Sequence, residues 1–150
     1  MTKSKNFSIN WVLIDELAIG SAPQTDNDIT LLKTSGIKNI ITLCKLNEME
    51  LFLELGKNFN FRHFPLPDHK DKVPPSLTDL NNILNYMKEC KNLGPTFVHC
   101  FAGVERSPLV CIAWLMRESS LSLEDALQYL MKINPGTCPL GYQLEILKDI

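Results

Sequence analysis

The sequence predicts an α/β fold with a central, mainly parallel sheet of about five strands and helices on both faces. Three observations predict it. Short β-branched or aromatic runs alternate with segments whose apolar residues recur at helical spacing. The helical segments open on capping residues or prolines and close on glycine. No repeat, low-complexity stretch or linker divides the chain, so residues 1–150 read as a single domain. In order, residues 11–14 and 17–19 form two short strands around Asp15 and Glu16. Thr25 or Asp26 caps a helix that Gly36 ends. The β-branched run 37–43 is a central strand. Residues 48–56 read as a helix with Met49, Phe52, Leu53 and Leu55 inward, and 59–64 as the next strand. Pro74, Pro75 and Ser76 start a helix whose Leu80, Ile83, Leu84 and Met87 form a core stripe. A buried strand at 95–98 leads into a helix over 108–117 with Pro108 in its first turn. Ser122 caps Leu123–Ile133, and a last helix runs from about Leu140 to the end.

Composition narrows the class. The 15 basic and 17 acidic residues nearly cancel, so no charge field selects nucleic acid or a membrane surface. The N-terminal segment carries Lys3 and Lys5, but its apolar run is broken by Asp15 and Glu16. No apolar stretch reaches the roughly 18 residues of a membrane span. The expectation is a cytoplasmic monomer without membrane attachment. Cys44, Cys90, Cys100, Cys111 and Cys138 are odd in number and include no Cys-x2-Cys pair. They fit free thiols in a reducing compartment better than a disulfide framework or a zinc site, so no metal and no cofactor is expected.

The chemistry concentrates in His99-Cys100-Phe101-Ala102-Gly103-Val104-Glu105-Arg106-Ser107. Cys100 and Arg106 bracket a small, glycine-containing turn between a strand and a helix. Backbone N–H groups of such a turn converge on one point, and the helix N-terminus adds partial positive charge there. A thiol at that point, next to an arginine, is favoured in its ionised, nucleophilic form. The guanidinium fork suits bidentate grip on a phosphoryl group. Ser107 can donate a hydrogen bond to the sulfur or serve as a plain helix-start hydroxyl. His99 reads as a buried support for the loop backbone. A second half lies upstream. Phe64-Pro65-Leu66-Pro67-Asp68-His69 ends a strand with two prolines that cannot continue it, leaving Asp68 on a loop as a candidate general acid. Asp71 is its understudy, and His69 an orienting or surface group.

These residues resemble the His-Cys-x5-Arg-Ser/Thr signature of the cysteine-dependent protein tyrosine phosphatase superfamily, most closely its small dual-specificity branch. The Ala102-Gly103 pair, the Arg106-Ser107-Pro108 ending and the Asp68-His69 pair carry the resemblance. It implies that Cys100 is the nucleophile, Asp68 the acid and Ser107 a donor to the leaving sulfur. It further implies that the amides of Phe101, Ala102, Gly103, Val104, Glu105 and Arg106 hold the phosphoryl oxygens. The implied partner is a phosphorylated protein carrying phosphotyrosine, phosphoserine or phosphothreonine. The alternatives are a phosphoinositide, phosphoglucan or RNA 5′-phosphate substrate, or a catalytically weak phosphate-binding module. Low-molecular-weight tyrosine phosphatases share Cys-x5-Arg, but with the loop near the N-terminus and the acid after it. Gly56-Lys57-Asn58 lacks the other residues of a nucleotide-binding loop.

Glu105 departs from the glycine, serine or lysine common in relatives, and the loop contains no lysine. A carboxylate there is expected to point outward and to repel substrates carrying several phosphates. Cys44 resembles the backdoor cysteine of regenerating-liver and tensin-type phosphatases, which implies a redox partner for Cys100; it reads equally as a small buried hydrophobe. Gln143 matches the glutamine that positions the hydrolytic water in some relatives, or is simply a polar residue of the last helix.

Overall fold

The computed structural model describes residues 7–150; the first six, with Lys3 and Lys5, lie outside the described residues. The sheet has five strands: β1 (Ile9–Leu13), β2 (Leu17–Gly20), β3 (Asn39–Thr42), β4 (Asn60–His63) and β5 (Thr96–His99). Their spatial order is β1-β2-β5-β3-β4. β1 turns back antiparallel on β2, through Asp15 at φ 59°, and the other pairs are parallel. All four residues of β5 are buried between β2 and β3, so the chain leaves the sheet centre at Cys100. Loops at the carboxyl ends of parallel strands are where open α/β sheets bind ligands.

Side-chain alternation along each strand separates two cores. Leu17, Ile19, Ile41 and Val98 join one cluster with Leu80, Ile83, Val110, Trp114 and Leu130. Ala18, Ile40 and Phe97 join the other with Ile29, Leu32 and Leu55. The first face is covered by α3 (Leu77–Cys90), α4 (Arg106–Glu118) and α5 (Leu123–Ile133), the second by α1 (Asp26–Thr34) and α2 (Phe52–Asn58). The last helix, expected to run from Leu140 to the end, is shorter: α6 (Gly141–Glu145) gives way to a 3₁₀ turn, Ile146–Asp149. The expected caps form: Thr25 accepts from Asp28 N–H, Ser76 from Asp79 N–H and Ser122 from Asp125 N–H. No helix among the described residues is long and apolar enough to cross a membrane.

The reading of 48–56 as one helix is corrected. Leu46–Glu48 form a 3₁₀ turn, Met49 is extended and buried, and α2 begins only at Phe52. Leu53, expected inward, is 74% exposed. The break has a tertiary cause: the Glu48 carboxylate is claimed by Arg106, the first residue of α4.

Candidate active site

Cys100 follows β5 directly and is 2% exposed. It lies at the floor of a pocket of about 250 Å³ walled by Phe101, Ala102, Val104, Glu105 and Arg106. Glu48, Asp68, His69 and Lys70 complete the walls. The structure therefore brings Cys100, Arg106 and Asp68 into one cavity. Ser107 Oγ stands 3.2 Å from Cys100 Sγ, where its hydroxyl can donate to an ionised sulfur.

The loop is held from outside by its carbonyls. Phe101 O accepts from Ala22 N–H at 3.1 Å, Val104 O from Cys138 N–H at 2.8 Å, and Gly103 O from the Asn134 amide at 2.9 Å. Carbonyls turned outward into the protein are the arrangement in which the same peptides aim their N–H groups at the centre of the loop. Gly103 has φ +73°, and a Cβ there would meet the Gly20 carbonyl at 3.0 Å, so this position requires glycine on both conformational and steric grounds. Asn134, buried and also bonded to Asn10 and Thr137, is a support that sequence reading missed.

His99 is fully buried, and desolvation pushes its pKa down to about 4. Its tautomer follows from its partners. Nδ1 faces Cys100 O at 3.0 Å, and a carbonyl only accepts, so Nδ1 carries the proton. Nε2 then accepts from the Thr42 hydroxyl at 2.7 Å. A neutral histidine thus ties β3 to the first peptide of the loop.

Arg106 has a partner that the sequence did not announce. Its Nη1 and Nη2 donate to the two Glu48 oxygens, each at 2.7 Å, and Nη1 also approaches Leu43 O at 3.5 Å. The hydrogen bonds from Arg106 hold the Glu48 carboxyl below the usual carboxylate range, and Glu48 in turn raises the arginine. Of the five guanidinium N–H groups, Nε–H and one Nη2–H stay uncommitted, and they share one edge of the plane. That edge is a two-pronged donor fixed in orientation by Glu48. Glu48 Oε1 also accepts Lys45 N–H at 2.8 Å, so the 3₁₀ turn is itself locked. Replacing Glu48 by glutamine is expected to lower kcat on an aryl phosphate by about 10- to 100-fold, the worth of one or two charged hydrogen bonds. Steady-state kinetics with inorganic phosphate as inhibitor checks this: unchanged kcat with tighter phosphate binding would show that the Glu48 charge, not its positioning, matters.

Asp68 starts a 3₁₀ turn, His69–Asp71, and accepts Lys70 N–H on Oδ1 at 2.9 Å. Its side chain is 14% exposed and faces the pocket. Asp71 is otherwise engaged. It accepts from Lys45 Nζ at 2.6 Å and from Asp68 N–H at 2.9 Å, and these bonds, the lysine's first, hold its carboxyl below the usual range. It is no part of the pocket wall, and an ion-paired carboxylate is a poor proton donor. Of the two carboxylates, Asp68 lines the pocket, and the bond to Lys45 is shorter at Asp71.

Glu105 does not point outward as expected. Its carboxylate runs along the rim, with Oε2 at 2.6 Å from His69 Nδ1 and Oε1 accepting the Gln143 amide at 3.1 Å. Gln143 is buried behind it and accepts Leu140 N–H on its own oxygen, and it does not line the pocket. Phe101 is 49% exposed on the opposite rim. Cys44 is buried at the end of β3, its Sγ 3.9 Å from His99 Nδ1, and burial followed by the neighbouring Cys100 pushes its thiol up to about 12.

Comparison with known proteins agrees with this architecture. A solved structure described as Tk-PTP in the active form superposes with a TM-score of 0.84 and 26% identity, over 95% of each chain. The phosphatidylglycerophosphate phosphatase PTPMT2 of Arabidopsis thaliana is 29% identical over 140 residues, 93% of this chain and 61% of its own length. Human dual specificity protein phosphatase 9 is 29% identical over 147 residues, 92% of this chain and 36% of its own length. The chain thus spans less than two thirds of either relative. The family described as dual specificity phosphatase, catalytic domain, matches residues 17–148, and the chain belongs to that family.

Proposed function

We propose that this chain hydrolyses phosphomonoesters through a phosphocysteine at Cys100, acting on phosphotyrosine, phosphoserine and phosphothreonine in proteins. One observation carries the reading: Cys100 and Arg106, at the two ends of the cysteine loop, line one cavity with Asp68 from the loop after β4. The Cys100 thiolate attacks phosphorus, an S–P bond forms, and the ester P–O bond breaks. Asp68, entering protonated, gives its proton to the departing oxygen. The amides of 101–106 and the Arg106 edge hold the three equatorial oxygens, whose charge spreads in the transition state. Water then attacks phosphorus, Asp68 takes its proton, and the S–P bond breaks to release phosphate while the Ser107 hydroxyl stabilises the sulfur.

A loop without lysine and with apolar Phe101 and Val104 at its rim supports a phosphoprotein over a polyphosphorylated lipid. The likeness to a phosphatidylglycerophosphate phosphatase supports a second reading, a lipid phosphomonoester. Profiling the protein against phosphopeptides, phosphatidylglycerophosphate, phosphoinositides and phosphoglucan decides between them. Phosphopeptides are expected to give the highest kcat/KM, and a lipid ahead of every peptide replaces the first reading by the second.

The same reading assigns Cys44 as a resolving thiol. β3 pairs with β5 in register Thr42 to His99, which brings the two strand ends side by side. Peroxide oxidises the Cys100 thiolate to sulfenic acid, and Cys44 displaces water from it to form a disulfide. With its thiol pushed up to about 12, Cys44 needs a shift of the loop before it reacts. Dilute peroxide is expected to give a reversible loss of activity and a Cys44–Cys100 peptide by mass spectrometry. In Cys44→Ser the loss becomes harder to reverse; unchanged reversibility, or a bridge to Cys111, rejects the assignment.

A further inference from the structure

Glu105 and His69 lie 36 residues apart in sequence and meet across the mouth of the pocket at 2.6 Å. Glu105 is the last residue before α4, on the cysteine loop, and His69 immediately follows Asp68. Both Glu105 oxygens are occupied, one by His69 and one by the buried Gln143 amide, so its side chain is held from behind by α6 while Oε2 meets the acid loop. The Glu105 side chain is 17% exposed, whereas that of His69 is 53% exposed. His69 thus contributes little to the core, and its defined contact is with Glu105. A second tie, from Lys45 to Asp71 and at 3.9 Å to Asp68, holds the far side of the same turn.

We propose that the Glu105–His69 pair is a latch that holds the Asp68 loop over the cysteine loop, so that both are positioning residues for the proton donor. The proposal rests on Asp68 being the general acid. A charged, short hydrogen bond one residue from the donor restricts where its carboxyl can stand, and small displacements of an aligned group cost large factors in rate. Glu105 keeps its backbone amide in the loop whatever its side chain does, so truncating it separates the latch from the phosphate cradle. This gives the acidic side chain a task other than screening substrates.

The test measures kcat and KM on phenyl phosphate, whose leaving group needs a proton, and on 2,4-dinitrophenyl phosphate, whose leaving group does not. The enzymes are Glu105→Ala, His69→Ala, the double variant, His69→Asn and Asp68→Asn. Asparagine places an amide nitrogen about where His69 Nδ1 stands. Each single alanine variant is expected to lose about 10- to 100-fold in kcat on phenyl phosphate and little on the dinitrophenyl ester. The double variant should lose no more than either single one, since both break one contact, and His69→Asn should restore most of the loss. Equal loss on both esters, multiplicative losses in the double variant, or a raised KM with unchanged kcat overturns the latch. Leaving-group dependence in Asp68→Asn alone overturns the latch and keeps the acid, whereas a uniform loss in Asp68→Asn overturns the acid reading itself. Melting temperature, read for each protein, excludes misfolding as the source, and exposed His69 supplies a variant that folds even if Glu105→Ala does not.

Discussion

Cys100→Ser is expected to abolish turnover, with a loss on the order of 10⁴-fold or more, while leaving oxyanion binding intact. The substitution exchanges a soft, ionisable sulfur for a hydroxyl that nothing nearby deprotonates: His99 is neutral and already bonded at both nitrogens. The loop carbonyl bonds to Ala22, Asn134 and Cys138 and the Glu48–Arg106 pair do not involve the sulfur, so the cradle persists. Tungstate at 100 times its Kd adds about 2.7 kcal/mol of stability to a protein that binds it. In a chain of this size that is a rise of roughly 5–10 °C in melting temperature. Differential scanning fluorimetry of wild type and variant with and without tungstate, beside turnover of an aryl phosphate, checks both halves. Residual hydrolysis within about tenfold of wild type moves the nucleophile elsewhere. Lost turnover with lost tungstate protection shows instead that the cradle has collapsed.

The second large effect is expected at Asp68. Asparagine keeps the size of the side chain and an oxygen for the Lys70 N–H bond, so the turn should survive, but it cannot deliver a proton. The loss in kcat on esters with basic leaving groups is about 10²- to 10⁴-fold, and it shrinks as the leaving group becomes acidic enough to depart alone. The dependence of kcat on leaving group is the decisive measurement. Asp71→Asn serves as the contrast: it breaks the Lys45 tie but lies off the pocket, so its loss is predicted to be smaller and to vary less between esters. A greater leaving-group dependence in Asp71→Asn than in Asp68→Asn exchanges the two roles.

Much of the site was legible because its core is local. Cys100 to Ser107 are contiguous, and a strand before them with a helix after them is enough to define a loop whose amides and helix terminus serve an anion. Two prolines stop the strand ahead of Asp68, so the loop that carries Asp68 to the pocket could also be read from its own residues. The fold class followed from alternation and capping, which are likewise short-range. The helix expected over 48–56 was one exception. Its apolar spacing suits a helix, but a contact 58 residues away claims Glu48 and interrupts it.

Sequence alone therefore determined the α/β class and the location of the cysteine loop and of the Asp68 loop, because each depends on residues within about ten positions of one another. Tertiary structure alone decided how those loops are held. Glu48 fixes which edge of Arg106 is free, Asn134 anchors the Gly103 peptide, and Glu105 turns along the rim to His69 instead of outward. It also separated Asp68 from Asp71, three residues apart and alike in sequence, by placing Asp68 in the pocket wall and Asp71 outside it, at 2.6 Å from Lys45. The physical reason is common to all four. A carboxylate or amide is satisfied by whichever opposite charge or hydrogen-bond partner the packed sheet and helices bring within about 3 Å, and nothing in the spacing along the chain names that partner.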